Sequence, residues 1–233
     1  KTSLKVEDVL RETKGKLVIG KKEEICENFS FDTRNIIENG TFVGIKGERA
    51  DGSTLWKEAL DNGAKIAIVE NINFTYAEME AYKSKDKTII KVEDTLKVLT
   101  QIAKYKRTLY NIPVVGVTGS VGKTSTKDII ASVVSQKYKT LKTEGNNNNH
   151  IGVPKTILRL KDEEAAVVEM GMNHLGEIEA LANISMPTLA VITNIGTSHI
   201  GNLGSRQNIL KAKLEILEGM KEKKIVINND NDL

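Results

Sequence analysis

Gly116-Val117-Thr118-Gly119-Ser120-Val121-Gly122-Lys123-Thr124-Ser125 follows an apolar run, Pro113 to Val117. It opens a segment in which Ile129, Ile130, Val133 and Val134 recur at helical spacing on one face. A glycine-rich turn between a buried strand and an amphipathic helix reads as a phosphate-binding loop. Its glycines let successive backbone N–H groups converge on phosphate oxygens at a helix N-terminus, where the helix dipole favours an anion. Residues Thr118 to Ser125 are therefore expected to cradle the phosphates of ATP, with Lys123 reaching the β and γ phosphates and the Thr124 hydroxyl on Mg2+. The usual spacing G-x-x-x-x-G-K-[ST] places a glycine where this chain has Val117; the nearby glycines are Gly116 and Gly119.

Working outward, the second half of the chain repeats strand then helix. Apolar runs at Val114 to Val117, Ala165 to Val168, Leu189 to Thr193 and Ile225 to Ile227 predict a mostly parallel sheet covered on both faces. Ligands of such sheets bind at the carboxyl ends of the strands, where the sequence puts the glycine loop, Glu169, and Thr193 with Asn194. Upstream, runs at Thr41 to Ile45, Ala64 to Val69 and Ile89 to Val92 predict a smaller α/β unit. A helix over Ser53 to Asn62 stops at Gly63, and Asp94 or Thr95 caps a helix with Leu96, Leu99, Ile102, Ala103 and Leu109 on its apolar face. The fold class is α/β, with an N-terminal domain over residues 1–92 and a P-loop central domain over 93–233.

Composition narrows the function classes. With 233 residues and 39% hydrophobic residues the chain can build one large or two modest cores. Its 34 basic and 31 acidic residues are interleaved, giving a net charge of +3, so nucleic acid is not an expected partner. The single cysteine, Cys26, excludes an intrachain disulfide framework and reads as a buried core thiol in a reducing compartment. No apolar run approaches the roughly 18 residues that span a bilayer, and no signal-peptide core is visible, so no membrane insertion and a cytoplasmic location are expected.

Several residues outside the loop could carry chemistry. Glu169 ends a strand in Val167-Val168-Glu169-Met170-Gly171-Met172-Asn173-His174-Leu175-Gly176-Glu177-Ile178, where a carboxylate faces whatever the loop holds. A hard cation takes carboxylate and hydroxyl oxygens together with phosphates and waters, which suits Glu169 with Thr124. Asn173 and His174 are either a helix cap with Glu177 or substrate contacts. His199, in Asn194-Ile195-Gly196-Thr197-Ser198-His199, is either loop surface or a metal ligand. Lys213 lies on a helix whose core face is read as Leu210, Leu214 and Leu217, and its pattern does not separate it from Lys211.

These segments together resemble the Mur ligase family, the amide-forming enzymes that build the peptide stem of bacterial cell-wall precursors. Beyond the loop form T-G-x-x-G-K-T-S, Ser30-Phe31-Asp32-Thr33-Arg34 and Gly40 to Gly52 are similar to the family's uridine-diphosphate-binding domain. Thr143 to Pro154, with its Asn146 to Asn149 run, resembles the loop that positions the muramoyl substrate. The glycine and asparagine pattern, with Glu169 to His174, favours the branch that adds D-alanyl-D-alanine to UDP-N-acetylmuramoyl-tripeptide over the branch that adds the third residue. By resemblance, Lys123, Glu169, His199 and Lys213 are catalytic, and Thr124, Glu169, His199 and Lys213, the last as a carbamate, hold Mg2+. Ser30, Thr33, Arg34, Lys46, Gly47, Asn146 and Asn149 bind substrate. The resemblance further implies an acyl-phosphate intermediate, a monomer, and a third domain and further sheet beyond Asn228 to Asp232. The chain thus reads as a fragment inactive in ligation alone. The competing readings are another ligase of the same family, and a non-catalytic module that binds the UDP precursor or a nucleotide.

Overall fold

The computed structural model describes residues 3–46 and 55–229, which form two compact units, Lys1–Leu109 and Tyr110–Leu233. The first contains α1 (Val6–Thr13), β1 (Lys16–Ile19), β2 (Phe29–Ser30), β3 (Thr41–Val43), α2 (Trp56–Asp61) and β4 (Ile66–Val69), followed by α3 (Tyr76–Ser84), β5 (Thr88–Lys91) and α4 (Thr95–Thr108). The second contains β6 (Val114–Thr118), α5 (Lys123–Val134), β7 (Thr140–Lys142), α6 (Gly152–Leu158), β8 (Ala165–Glu169) and α7 (Glu177–Ser185). It continues with β9 (Leu189–Ile192), α8 (Ile200–Leu203), α9 (Arg206–Leu214) and β10 (Ile225–Ile227).

In the first unit the sheet order is β1-β5-β4-β3-β2, parallel except where β1 runs against β5. The fully buried run Ile66 to Val69 forms its central strand, as an apolar segment without polar alternation must. Phe42, Trp56, Leu60 and Ile89 build the core on one face, and Trp56 meets the Phe74 ring edge-on at 5.8 Å. Cys26 lies in this unit, 1% exposed, its thiol pushed up to about 12 by burial. Asp94 caps α4, accepting from Leu96 N and Lys97 N. That helix packs on α1, and the units divide between Leu109 and Tyr110, so α4 lies with the first unit and not at the head of the second, where the sequence pattern puts it. Gly47 to Thr54, including the expected diphosphate glycine Gly47 and the start of the helix read from Ser53, lie outside the described residues.

In the second unit every strand pair is parallel, in the order β10-β9-β6-β8-β7. After β6 the chain goes to the outer strand β7, returns to β8, then crosses to β9 on the other side of β6. β6 is thus the switch point, and the crevice at its carboxyl end is flanked by the ends of β8 and β9. The short strands β1, β2 and β7 carry too little apolar periodicity to stand out in the sequence.

Two helix faces differ from the pattern reading. On α5 the residues turned inward are Lys127 and Ala131, while Ile129 and Val133 are each 66% exposed. The buried ammonium of Lys127 explains the rotation: it donates to Thr143 O at 2.8 Å, Gly145 O at 3.2 Å and Asp128 Oδ1 at 2.8 Å, so its burial leaves no donor stranded. On α9 the buried residues are Ile209, Ala212 and Lys213, whereas Leu214 is 36% exposed.

Candidate active site

The phosphate loop joins the end of β6 to α5. Gly122 takes a left-handed conformation at φ 77°, and its Cβ position is open space, so the requirement there is conformational. Gly119 is required for space: a Cβ would lie 1.8 Å from Thr193 Oγ1. No side chain caps α5, which leaves the backbone amides of its first turn available to an anion.

Glu169, the last residue of β8, is fully buried. Its Oε1 accepts from Thr124 Oγ1 at 2.8 Å and from Asn148 Nδ2 at 3.1 Å, while its backbone N–H donates to Thr143 Oγ1 at 3.0 Å. Oε2 is buried with no protein hydrogen-bond partner. A buried carboxylate oxygen without a donor calls for a cation, and the hydroxyl of Thr124 lies beside it. The oxygen donor set therefore fits a hard divalent ion such as magnesium. Among the described residues no group of three or more His, Cys, Asp or Glu is placed to hold a metal ion.

A cavity of about 270 Å³ lies next to Thr124 and Glu169, lined by Lys123, which precedes Thr124, and by Asn148, which donates to Glu169, but not by Thr124 or Glu169 themselves. Gly119 and Lys123 line it from the loop, Asn148 and Asn149 from the asparagine run, and Gly171, Met172, Asn173 and Glu177 from the segment after β8. His199 and Lys213 complete it. His199 adopts φ 62°, a left-handed conformation uncommon for a non-glycine residue. Lys213 is 2% exposed, and its amine is lowered to about 8, first by burial and then by the nearby charge of Lys123. The structure thus separates Lys213 from the exposed Lys211 two positions away.

The other residues expected at the site fall as follows. Thr118 is buried with its hydroxyl unpartnered, and Ser120 is 7% exposed. The side-chain oxygen of Asn149 accepts from Ile151 N and Gly152 N, capping the approach to α6, and Asn146 is exposed and outside the cavity lining. Asn148, which the sequence reading did not single out, is the asparagine that reaches Glu169; four identical letters carry no signal of which one points inward. Glu177 reaches back to Asn173 N at 3.3 Å and to His174 Nδ1 at 2.9 Å, while the N-cap position of α7 is Gly176 without a side chain. Neither Asn173 nor His174 caps α7, so the capping reading of these two residues does not hold.

In the first unit, Ser30 and Thr33 are buried, and the Ser30 hydroxyl donates to Asn35 O. Arg34 is 84% exposed and grips Asp32 through Nε and Nη2, holding that carboxyl down at about 2. Lys46 is exposed just past β3, whose carboxyl end neighbours that of β2 because the two strands are parallel. Arg34 thus follows β2 in the turn Thr33–Asn35, and Lys46 follows β3.

The sequence matches the Mur ligase middle domain over residues 117–233 and the Mur ligase family catalytic domain over residues 27–107. The chain belongs to the Mur ligase family. Among relatives of this Mur ligase chain, UDP-N-acetylmuramoyl-tripeptide–D-alanyl-D-alanine ligase of Bacillus subtilis is 40% identical over 224 residues, covering 95% of this chain and 48% of the relative. The enzyme of the same name from Escherichia coli is 37% identical over 203 residues, covering 86% and 43%. Among solved structures, MurF from Acinetobacter baumannii superposes with a TM-score of 0.80 at 32% identity, over 99% of this chain and 50% of that one. MurF ligase from Thermotoga maritima in complex with ADP gives a TM-score of 0.73 at 35% identity, over 88% and 46%. The Mur ligase chain thus spans about half the length of the curated relatives it matches.

Proposed function

We propose that this chain supplies the precursor-binding and phosphate-binding halves of an ATP-dependent ligase that joins D-alanyl-D-alanine to UDP-N-acetylmuramoyl-tripeptide, a step in cell-wall peptidoglycan synthesis. The observation that carries the reading is the meeting of Lys123, Thr124 and the half-satisfied Glu169 at the switch point of a parallel sheet. It is supported by relatives and structures that bear this enzyme's name over nearly the whole chain.

The chemistry follows from the charges. A tripeptide carboxylate attacks the γ phosphate of ATP, giving an acyl phosphate and ADP; the dipeptide amine then adds to the acyl carbon, and the tetrahedral intermediate expels phosphate. Both partners of the first step are anions, so alignment and charge neutralisation matter more than acid–base help. Lys123 and the uncapped amides of α5 would neutralise the phosphate oxygens in place, where preorganised donors cost no reorganisation. Magnesium, when bound, neutralises phosphate charge further, and Thr124, Glu169, His199 and a carbamylated Lys213 are the residues that would hold it. An amine lowered to about 8 is roughly a quarter neutral at pH 7.5, against about one part in a thousand for an ordinary lysine, and the neutral amine is the form that captures carbon dioxide. Ser30, Thr33, Arg34, Lys46 and Gly47 would take the uridine diphosphate; Asn146 and Asn149 belong to the loop proposed to face the muramoyl peptide. ATP and nucleotide-linked precursors are cytoplasmic metabolites, so the reading includes a cytoplasmic location, and a monomer suffices for it.

The test is phosphate release from ATP by a protein that carries this sequence across the full length of its relatives. Release that requires both UDP-N-acetylmuramoyl-tripeptide and D-alanyl-D-alanine is expected. Release supported instead by a single amino acid and the dipeptide-stem precursor would reassign the chain to the third-residue branch.

A further inference from the structure

Resting on the reading of residues 116–125 as the phosphate loop, we infer that Asn194 is a positioning residue that holds the loop in shape before any nucleotide arrives. Its carboxamide oxygen accepts from Ser120 N and from Val121 N, both at 3.0 Å, and its main-chain oxygen lies 3.2 Å from Ser120 N. Those two amides are among the ones a phosphate loop ordinarily turns on its ligand. Here they are held by a residue just past the end of the neighbouring strand β9, while the first turn of α5, uncapped by any side chain, is left for the anion. The loop is thereby divided into an anchored half and a binding half.

The need for such an anchor follows from the loop itself. Gly119, Gly122 and an exposed Val121 offer little packing, so the loop would otherwise lose a large ordering entropy when phosphate binds. Further bonds run between the same two segments. Thr193 Oγ1 donates to Val121 O at 2.8 Å, Gly196 N to Ser120 Oγ at 2.7 Å, and Ser198 Oγ to Ser120 O at 3.1 Å. The strap that carries them continues into His199, so one segment both holds the anchored half of the phosphate loop and carries the imidazole. A neutral carboxamide suits this position because it satisfies two N–H groups without placing a negative charge where phosphate must come.

Amide hydrogen exchange on the isotopically labelled chain, without nucleotide, reads the hold directly. The Ser120 and Val121 amides are expected to be protected in the native chain, and Asn194→Ala should speed their exchange about tenfold or more while amides of β6 and β8 stay unchanged. Titration with magnesium pyrophosphate should show about tenfold weaker binding in that variant. Asn194→Asp keeps the acceptor, so protection should persist while pyrophosphate binding falls through charge repulsion; this variant decides the matter if Asn194→Ala does not fold. Unchanged exchange in Asn194→Ala, lost protection in Asn194→Asp, or tighter pyrophosphate binding in Asn194→Ala would overturn the assignment. Failure of the native chain to bind pyrophosphate, with the exchange pattern as expected, would count against the phosphate reading and not against the hold of Asn194 on the loop.

Discussion

Lys211 and Lys213 have the same side chain on the same helix, yet only Lys213 is buried at the cavity, with its amine lowered to about 8 by burial and by Lys123. In bicarbonate labelled with carbon-13, a carbamate resonance is expected on the chain, absent in Lys213→Ala and retained in Lys211→Ala; its presence in Lys213→Ala would remove the residue from the proposed metal set. Protonation has a definite sign here. The folded value lies below the unfolded 10.5, so the folded state binds fewer protons between about pH 8 and 10.5 and stability rises with pH across that window. Glu169 could be singled out from the sequence because it ends an apolar run beside a phosphate loop. Asn194 could be placed at the active edge, though not its hold on the loop amides; Asn148 and the burial of Lys213 could not be singled out, since each depends on which way one side chain turns among chemically similar neighbours.

Helix α5 shows how an element can be legible in existence and misread in orientation. Its apolar residues Ile129 and Val133 are exposed, while Lys127 is buried because three acceptors converge on its ammonium. Lys127 thereby ties the helix that begins at the phosphate loop to Thr143, whose hydroxyl in turn receives the Glu169 backbone amide. Lys127→Met removes the donors to Thr143 O and Gly145 O. The expected cost is on the order of 2 kcal/mol or more of stability, read as a lower urea midpoint, because buried acceptors lose their partners. A midpoint equal to that of the native chain would show that this buried ammonium is replaceable by packing.

At the scale of the whole molecule, β6, β8, β9 and β10 were readable because fully apolar strands alternating with helices leave few topologies, and the switch point then fixes the crevice. The unit boundary was less readable, since only packing on α1 assigns α4 to the first unit. Separate units predict separable ligands: Arg34→Ala should weaken binding of the UDP precursor about tenfold, as expected for a charged hydrogen-bond donor, with pyrophosphate binding unchanged. Equal loss of both in isothermal titration would signal global damage. The central claim is that Lys123, Thr124 and Glu169 form one phosphate–metal site. Its most direct measurement is calorimetric titration of ADP with and without magnesium into the native chain, Lys123→Ala and Glu169→Gln. The account predicts magnesium-enhanced binding in the native chain, about tenfold to a hundredfold weaker binding in Lys123→Ala, and loss of the magnesium enhancement in Glu169→Gln. Unaltered affinity in Lys123→Ala, or an undiminished magnesium effect in Glu169→Gln, would contradict it.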